Sequence, residues 1–170
     1  MKHRCSIRTP LGEMNALAEQ DSLCGLDFVG QKYAPEIAEG WQSDPDHPVF
    51  VALRSQLAAY FAGQLHAFDL PLAPKGTAFQ MAVWALLRTI PEGTTTTYGA
   101  LARRVAEQRE GRIPSAQAVG GAVGHNPISI IIPCHRVIGA DGSLTGYAGG
   151  LDRKAFLLAL ENANNPGLQS

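Results

Sequence analysis

Apolar side chains recur at alternate positions through the first thirty residues, in CSIRTP (5–10), MNALAE (14–19) and LCGLDFVG (23–30). These segments are parted by Pro10-Leu11-Gly12 and Glu19-Gln20-Asp21. A period of two interrupted by turn residues predicts a small antiparallel sheet. From His47 to Gly63 the period lengthens: Val49, Phe50, Leu53, Leu57, Tyr60 and Phe61 fall on one side of a helix, and Gly63 stops it. Residues 64–76, with Pro71, Pro74 and Gly76, read as a linker. The boundary is therefore expected there, with an N-terminal domain over 1–74, linker included, and a second domain over 75–170.

Past the linker, Thr77 is placed to cap a helix carrying Phe79, Val83, Trp84, Leu86 and Leu87, which Pro91-Glu92-Gly93 ends. Thr94–Tyr98 is short and β-branched, and Gly99–Glu107 is helical with Leu101, Ala102 and Val105 as its stripe. After the loop Glu110–Pro114, Ser115 caps a helix from Ala116 to about Gly124 that stops before Asn126-Pro127. Two short helices joined this way have the outline of a helix-turn-helix, as do many helical pairs that never touch DNA. In the later helix Ala116, Val119 and Val123 are expected to face the core, with Gln117, Gly121 and Gly124 on another face. Gly120 and Gly121 each cost about 1 kcal/mol in a helix interior. Tight helix packing or close approach by a ligand would equally explain them. Ile128–Pro133 predicts a short buried strand, and Asp152 to about Ala163 a final helix with Ala155, Leu157, Leu158 and Leu160 as its apolar residues.

Composition narrows this picture. With 170 residues, 45% hydrophobic and 17% charged, the chain is expected to be a folded soluble protein of two compact halves, and no apolar run reaches the length of a bilayer span. The start, MKHRCSIRTPLG, has no apolar signal-peptide stretch, which predicts a cytoplasmic protein with reduced thiols. Cys5, Cys24 and Cys134 show no zinc spacing, so no metal is expected. Net charge is only −1, but its distribution is uneven: five basic against nine acidic residues up to Pro74, nine against six from Lys75 onward. The basic half is the candidate for a polyanion partner.

The candidate chemistry centres on Cys134. The apolar run before it sets the thiol at the edge of a core with His135 and Arg136 adjacent, and nearby positive charge is expected to lower its pKa. An inert buried cysteine fits the same residues. Glu161 lies one turn beyond Leu157 and Leu158, where a carboxylate needs a partner, and His135 suits: a carboxylate receiving one imidazole N–H leaves the other nitrogen to accept a proton. A solvated glutamate at a fraying helix end is the alternative. Between them, Asp141-Gly142 predicts a hairpin turn, and Tyr147 sits among glycines where a base could stack on it.

Taken together, PCHRV at Pro133–Val137, Asn126-Pro127 beginning eight residues before the cysteine, Gly146-Tyr147 after it and KxxLLxxE ending at Glu161 resemble the O6-alkylguanine-DNA alkyltransferases. FQxxVW from Phe79, IPxG from Ile90, TYGxLA from Thr97 and AVG from Ala118 extend the resemblance over Gly76–Ala163, while the N-terminal half matches loosely, at TPLG near Thr9 and AYFAG at Ala59–Gly63. The resemblance implies an α+β protein: a ribonuclease-H-like α/β domain, then a winged-helix-like, helix-turn-helix domain whose second helix enters the minor groove of double-stranded DNA. The implied activity is a single, self-inactivating transfer of the alkyl group from O6-alkylguanine, and from O4-alkylthymine, to Cys134 after base flipping, by a monomer without a cofactor.

On that resemblance His135 acts as base through a water, Glu161 orients it, and Asn126 holds the turn before the cysteine. Tyr98 acts on the target phosphate and the flipped base. Ala118, Gly120 and Gly121 face DNA, and Tyr147 lines the pocket with the backbone of Val137 and Ala148. Arg136 is structural or a phosphate contact. Two departures stand out: the family places an arginine, which fills the gap left by the flipped base, where this chain has Gln117, and the connection 107–114 is longer than usual and carries Arg109 and Arg112. A hydrolase or transferase with a Cys-His-Glu triad and a small-molecule ester or thioester substrate, a lesion-sensing protein that flips the base without accepting the alkyl group, and a redox thiol protein are the competing readings.

Overall fold

The computed structural model describes residues 1–34 and 39–165. The chain divides into two compact units, Met1–Lys75 with Pro127–Ser129, and Gly76–Asn126 with Ile130–Ser170. In the first, β1 (Lys2–Thr9), β2 (Gly12–Glu19) and β3 (Ser22–Phe28) form the expected antiparallel sheet, and a short β4 (Trp41–Ser43) adds in parallel to give the order β3-β2-β1-β4. β1 alternates as its sequence does, burying Cys5 and Ile7 while Arg4, Ser6 and Arg8 are exposed. In β2 the alternation gives way to continuous burial at Ala16, Leu17 and Ala18, where a bulge against β3 re-aims the strand. The helix α1 (Pro48–Phe61) buries Val49, Phe50, Leu53, Leu57 and Tyr60. Its cap is unusual: His47 Nδ1 accepts from the Val49 N–H at 3.1 Å, and Nε2 lies 2.7 Å from the Gln20 carbonyl.

Residues 64–76 are not a free linker. Leu23 N–H donates to the Pro71 carbonyl and Ala73 N–H to the Leu23 carbonyl, both at 2.8 Å, and the Gln56 side chain clasps the backbone of Asp69. The prolines permit this strap along β3 because only alternate backbone groups need pair with the sheet. Pro127–Ser129 bond to β3 as well: Leu26 N–H donates to the Pro127 carbonyl and Ser129 N–H to the Leu26 carbonyl, each at 2.9 Å.

The second unit holds α2 (Ala78–Leu87), β5 (Thr96–Thr97), α3 (Tyr98–Arg109), α4 (Ala116–Gly124), β6 (Val137–Ile138) and α5 (Leu151–Asn164), with β5 and β6 paired in parallel. Thr77 and Gln80 form a full capping box on α2. Thr97 and Ser115 cap α3 and α4 through their hydroxyls. The Trp84 indole N–H, buried, donates to the Ala122 carbonyl at 2.8 Å and ties α2 to the end of α4. The core face of α4 is Val119, Ala122 and Val123; Ala116, expected to be buried, is exposed because it begins the helix ahead of the packed turn. Asp141-Gly142 makes its turn, closed by Gly139 N–H on the Ser143 carbonyl at 2.9 Å, but no second strand follows.

Candidate active site

Ile128–Pro133 was expected to be a strand and is not one. Ile128 makes a single bridge, to Leu26, after which the chain turns with Ile130 at φ +71°. A left-handed β-branched residue costs on the order of 1–3 kcal/mol. Two features outweigh that local preference. Ile128, Ile130 and Ile132 are all buried, and the Asn126 side-chain amide donates to the Ile132 carbonyl at 2.7 Å, closing the turn from inside. Pro133 then leads into one turn of 3-10 helix, Cys134–Arg136, with Cys134 N–H on the Ile132 carbonyl and Arg136 N–H on the Pro133 carbonyl.

That turn aims consecutive side chains at the buried face of α5. His135 Nε2 donates to Glu161 Oε2 at 2.7 Å. Arg136 donates from Nε to Oε1 at 2.8 Å and from Nη2 to Oε2 at 3.0 Å, and its Nη1 donates to the Ile90 carbonyl. Glu161 is 1% exposed and His135 is 0% exposed, so neither is a solvated helix-end group. Burial by itself would raise the Glu161 carboxyl, but the hydrogen bonds and charges of His135 and Arg136 override it and hold it at about 2. With Nε2 committed as donor, Nδ1 is the basic nitrogen of the neutral ring. It is buried and has no protein hydrogen-bond partner among the described residues.

The thiol departs from expectation. Burial pushes Cys134 up to about 11, against smaller opposing pulls from the Asn126 amide and the Lys154 charge. Arg136 does not supply the expected activation because its guanidinium faces Glu161. Burial also lowers the His135 pKa more than the Glu161 contact raises it. The resting site is a thiol beside a neutral imidazole, so Cys134 needs a base to become a nucleophile.

The remaining candidates lie at the start of α3, on α4, and in and after β6. Tyr98, first residue of α3, donates its hydroxyl to the Thr145 carbonyl at 3.2 Å; Tyr147 and Ala148 are half-buried. Val137 N–H donates to the Cys134 carbonyl within the 3-10 turn. Arg136 points inward, its guanidinium occupied as described. Gln117 and Ala118 are exposed on the first turn of α4, with Gly121 on the next and Gly120 half-buried. A Cβ at Gly121 would meet open space, and one at Gly120 would come no nearer than 3.9 Å to the Tyr98 ring. Packing within the unit requires neither glycine.

One residue of this neighbourhood carried no assigned role in the sequence reading. Lys154 is 0% exposed and donates from Nζ to the carbonyls of Thr145 at 2.7 Å and Gly146 at 3.2 Å. Burial lowers its pKa, partly offset by Cys134. The signal was available in the spacing: Lys154, Leu157 and Glu161 recur at three and four residues and form the buried stripe of α5.

Residues 3–74 match the family model described as 6-O-methylguanine DNA methyltransferase, ribonuclease-like domain, and residues 78–163 the one described as 6-O-methylguanine DNA methyltransferase, DNA binding domain. A methylated-DNA–protein-cysteine methyltransferase of Mycolicibacterium paratuberculosis is 46% identical over 95% of this chain and 93% of its own length. One from Haemophilus influenzae is 46% identical over 90% and 82%. The crystal structure of Mycobacterium tuberculosis OGT in complex with DNA superposes with a TM-score of 0.85 at 44% identity, covering 95% of this chain and 94% of that one. Both halves in order, with nearly half the residues identical along almost the full length, make this chain a member of the 6-O-methylguanine DNA methyltransferase family.

Proposed function

We propose that this protein repairs DNA by moving the alkyl group of O6-alkylguanine onto Cys134. The observation that carries the reading is the buried run Cys134–His135–Glu161, in which a protonated thiol neighbours an imidazole whose Nδ1 is basic and buried. In the proposed reaction the thiol proton passes through a water to His135 Nδ1, and Glu161 supports the imidazolium that forms. The Cys134 sulfur attacks the alkyl carbon as the carbon–oxygen bond breaks, and the electron pair leaves on guanine O6. Guanine takes up a proton, and the thioether remains on the protein, so each molecule acts once. O4-alkylthymine presents the same alkyl–oxygen bond and is a second substrate on this reading.

Asn126 holds the strained turn that aims the sulfur. Tyr98, Tyr147 and the backbone of Val137 and Ala148 receive the flipped base, while Gln117, Ala118, Gly120 and Gly121 lie along the minor groove. The open space at Gly121 supports that placement, since close approach by a sugar-phosphate wall explains a glycine that internal packing does not need. Arg136 acts by holding Glu161 rather than by touching phosphate. On this reading residues 1–74 form the ribonuclease-like domain and 75–170 the DNA-binding and acceptor domain of a monomer. A reaction that consumes a reduced thiol suits the cytoplasm; among the described residues no helix is long and apolar enough to cross a membrane.

The test is the intact mass of the protein after incubation with duplex DNA containing O6-methylguanine. A gain equal to one methyl replacing one hydrogen, on the peptide bearing Cys134, is expected. Turnover with an unmodified thiol would show a hydrolase instead. Cys134→Ala should abolish transfer and still bind the alkylated duplex; persistent transfer would move the acceptor to Cys5 or Cys24.

A further inference from the structure

The connection between α3 and α4 carries features that the proposed chemistry leaves unused. Residues 103–112 hold four arginines, Arg103, Arg104, Arg109 and Arg112, against two glutamates, Glu107 and Glu110. α3 ends at Arg109, and Glu110 takes a left-handed conformation that turns the chain out of the helix. A cavity of about 240 Å³ lies under this turn, lined by Phe79, Val105, Ala106, Arg109, Gly111, Arg112 and Pro114. The Arg109 guanidinium lies over the Phe79 ring, 5.8 Å from its centroid. Neither Arg109 nor Arg112 forms an ion pair with an acidic side chain among the described residues. Two unneutralised guanidinium groups thus flank a small recess with an aromatic wall, and one of them is held in place by that wall.

We infer that this recess is a backbone-phosphate site for the duplex that α4 engages, with Arg109 and Arg112 contacting a phosphodiester and Phe79 packing against its sugar. The inference rests on the DNA-repair reading above and adds where the affinity comes from. Three observations favour a duplex backbone over other anions. The loop runs directly into Ser115, the cap of α4, so a strand lying along the exposed first turn of that helix passes beside it. Guanidinium forks match phosphate oxygens in pairs. The residue on α4 best placed to bring charge to the groove, Gln117, is neutral, so the cationic contacts of this segment lie on the loop instead.

The experiment is equilibrium binding of the full chain to a duplex containing O6-methylguanine across a salt series, for the unaltered protein, Arg109→Gln/Arg112→Gln and Arg8→Gln. Arg8 is exposed on β1 and controls for the loss of charge alone. Each lost phosphate contact lowers the slope of log affinity against log salt by about 1. The double variant should therefore lose a slope of about 2 and bind about 60-fold more weakly near 0.1 M salt, with the deficit closing as salt approaches about 1 M. Arg8→Gln should leave the slope in place, and a thermal melt of the double variant should match the unaltered protein, because both arginines are exposed. An unchanged slope, an equal loss in Arg8→Gln, or a loss confined to single-stranded DNA would overturn the inference. Failure of the unaltered protein to gain a methyl in the same samples would instead overturn the repair reading beneath it.

Discussion

Replacing Glu161 by glutamine tests the buried triad on two independent axes. The side chain keeps its shape and one acceptor but loses the charge that faces His135 Nε2 and two nitrogens of Arg136. Glu161 has a folded pKa of about 2 against an ordinary 4.5. A depressed carboxylate contributes stability that is fully present above its unfolded pKa and is lost as pH falls through the folded one. The difference corresponds to about 3 kcal/mol at pH 7, in the range found when one partner of a buried ion pair is removed. By pH 3 the same linkage leaves about half of it. Urea unfolding of both proteins at pH 7 and pH 3 should therefore show a gap of about 3 kcal/mol that shrinks to roughly half at the lower pH. At pH 7 the melting temperature should drop by roughly 10 °C for a chain of this size. Transfer should slow by on the order of 100-fold or more, because the imidazolium loses its counter-charge. DNA affinity should change little, since Glu161 is 1% exposed. An equal stability gap at both pH values would refute the electrostatic argument, and an undiminished transfer rate would refute the base assignment.

Gln117→Arg should speed repair of duplex DNA relative to the reaction with a free benzylguanine-type base, because a stacked guanidinium holds the flipped state open and a free base needs no flipping; equal effects on both substrates would remove Gln117 from the helix gap. Lys154→Met should release the carbonyls of Thr145 and Gly146 and withdraw a positive charge that lowers the Cys134 pKa. Its pH–rate profile should move to higher pH, and a unit-for-unit match with the unaltered profile would make Lys154 a packing residue alone. Asp27 is buried and its carboxyl is pushed up to about 7 by burial, so its ionisation destabilises the fold as pH rises from about 4 to 7. Asp27→Asn should therefore stabilise the protein above pH 7 by on the order of 4 kcal/mol and be neutral near pH 4, as read by urea midpoints.

What could be read from sequence alone was governed by local physics. The alternation at residues 5–28 specified three strands, because a period of two buries one face of a sheet wherever it pairs. Thr77 and Ser115 marked helix starts because a hydroxyl satisfies backbone N–H groups within its own turn, whereas Thr97, read as part of a short β-branched segment, proved to be a cap as well. Cys134, His135 and Glu161 were legible as candidates, since an uncompensated carboxylate on an apolar helix face demands a partner. Interactions between distant segments decided the rest. The β-branched run at Ile128–Ile132 has strand propensity, yet burial of its four isoleucines and the Asn126 amide turn it at Ile130. The same burial makes Cys134 a thiol where neighbouring charges alone suggested a thiolate, since desolvation depends on everything that surrounds the sulfur. Arg136 could have faced phosphate or core; Glu161, 25 residues away in the chain, fixes it inside. Lys154, quoted in KxxLLxxE, received no role because its partners are backbone carbonyls, which every residue carries and which only the path of the folded loop can bring to its ammonium.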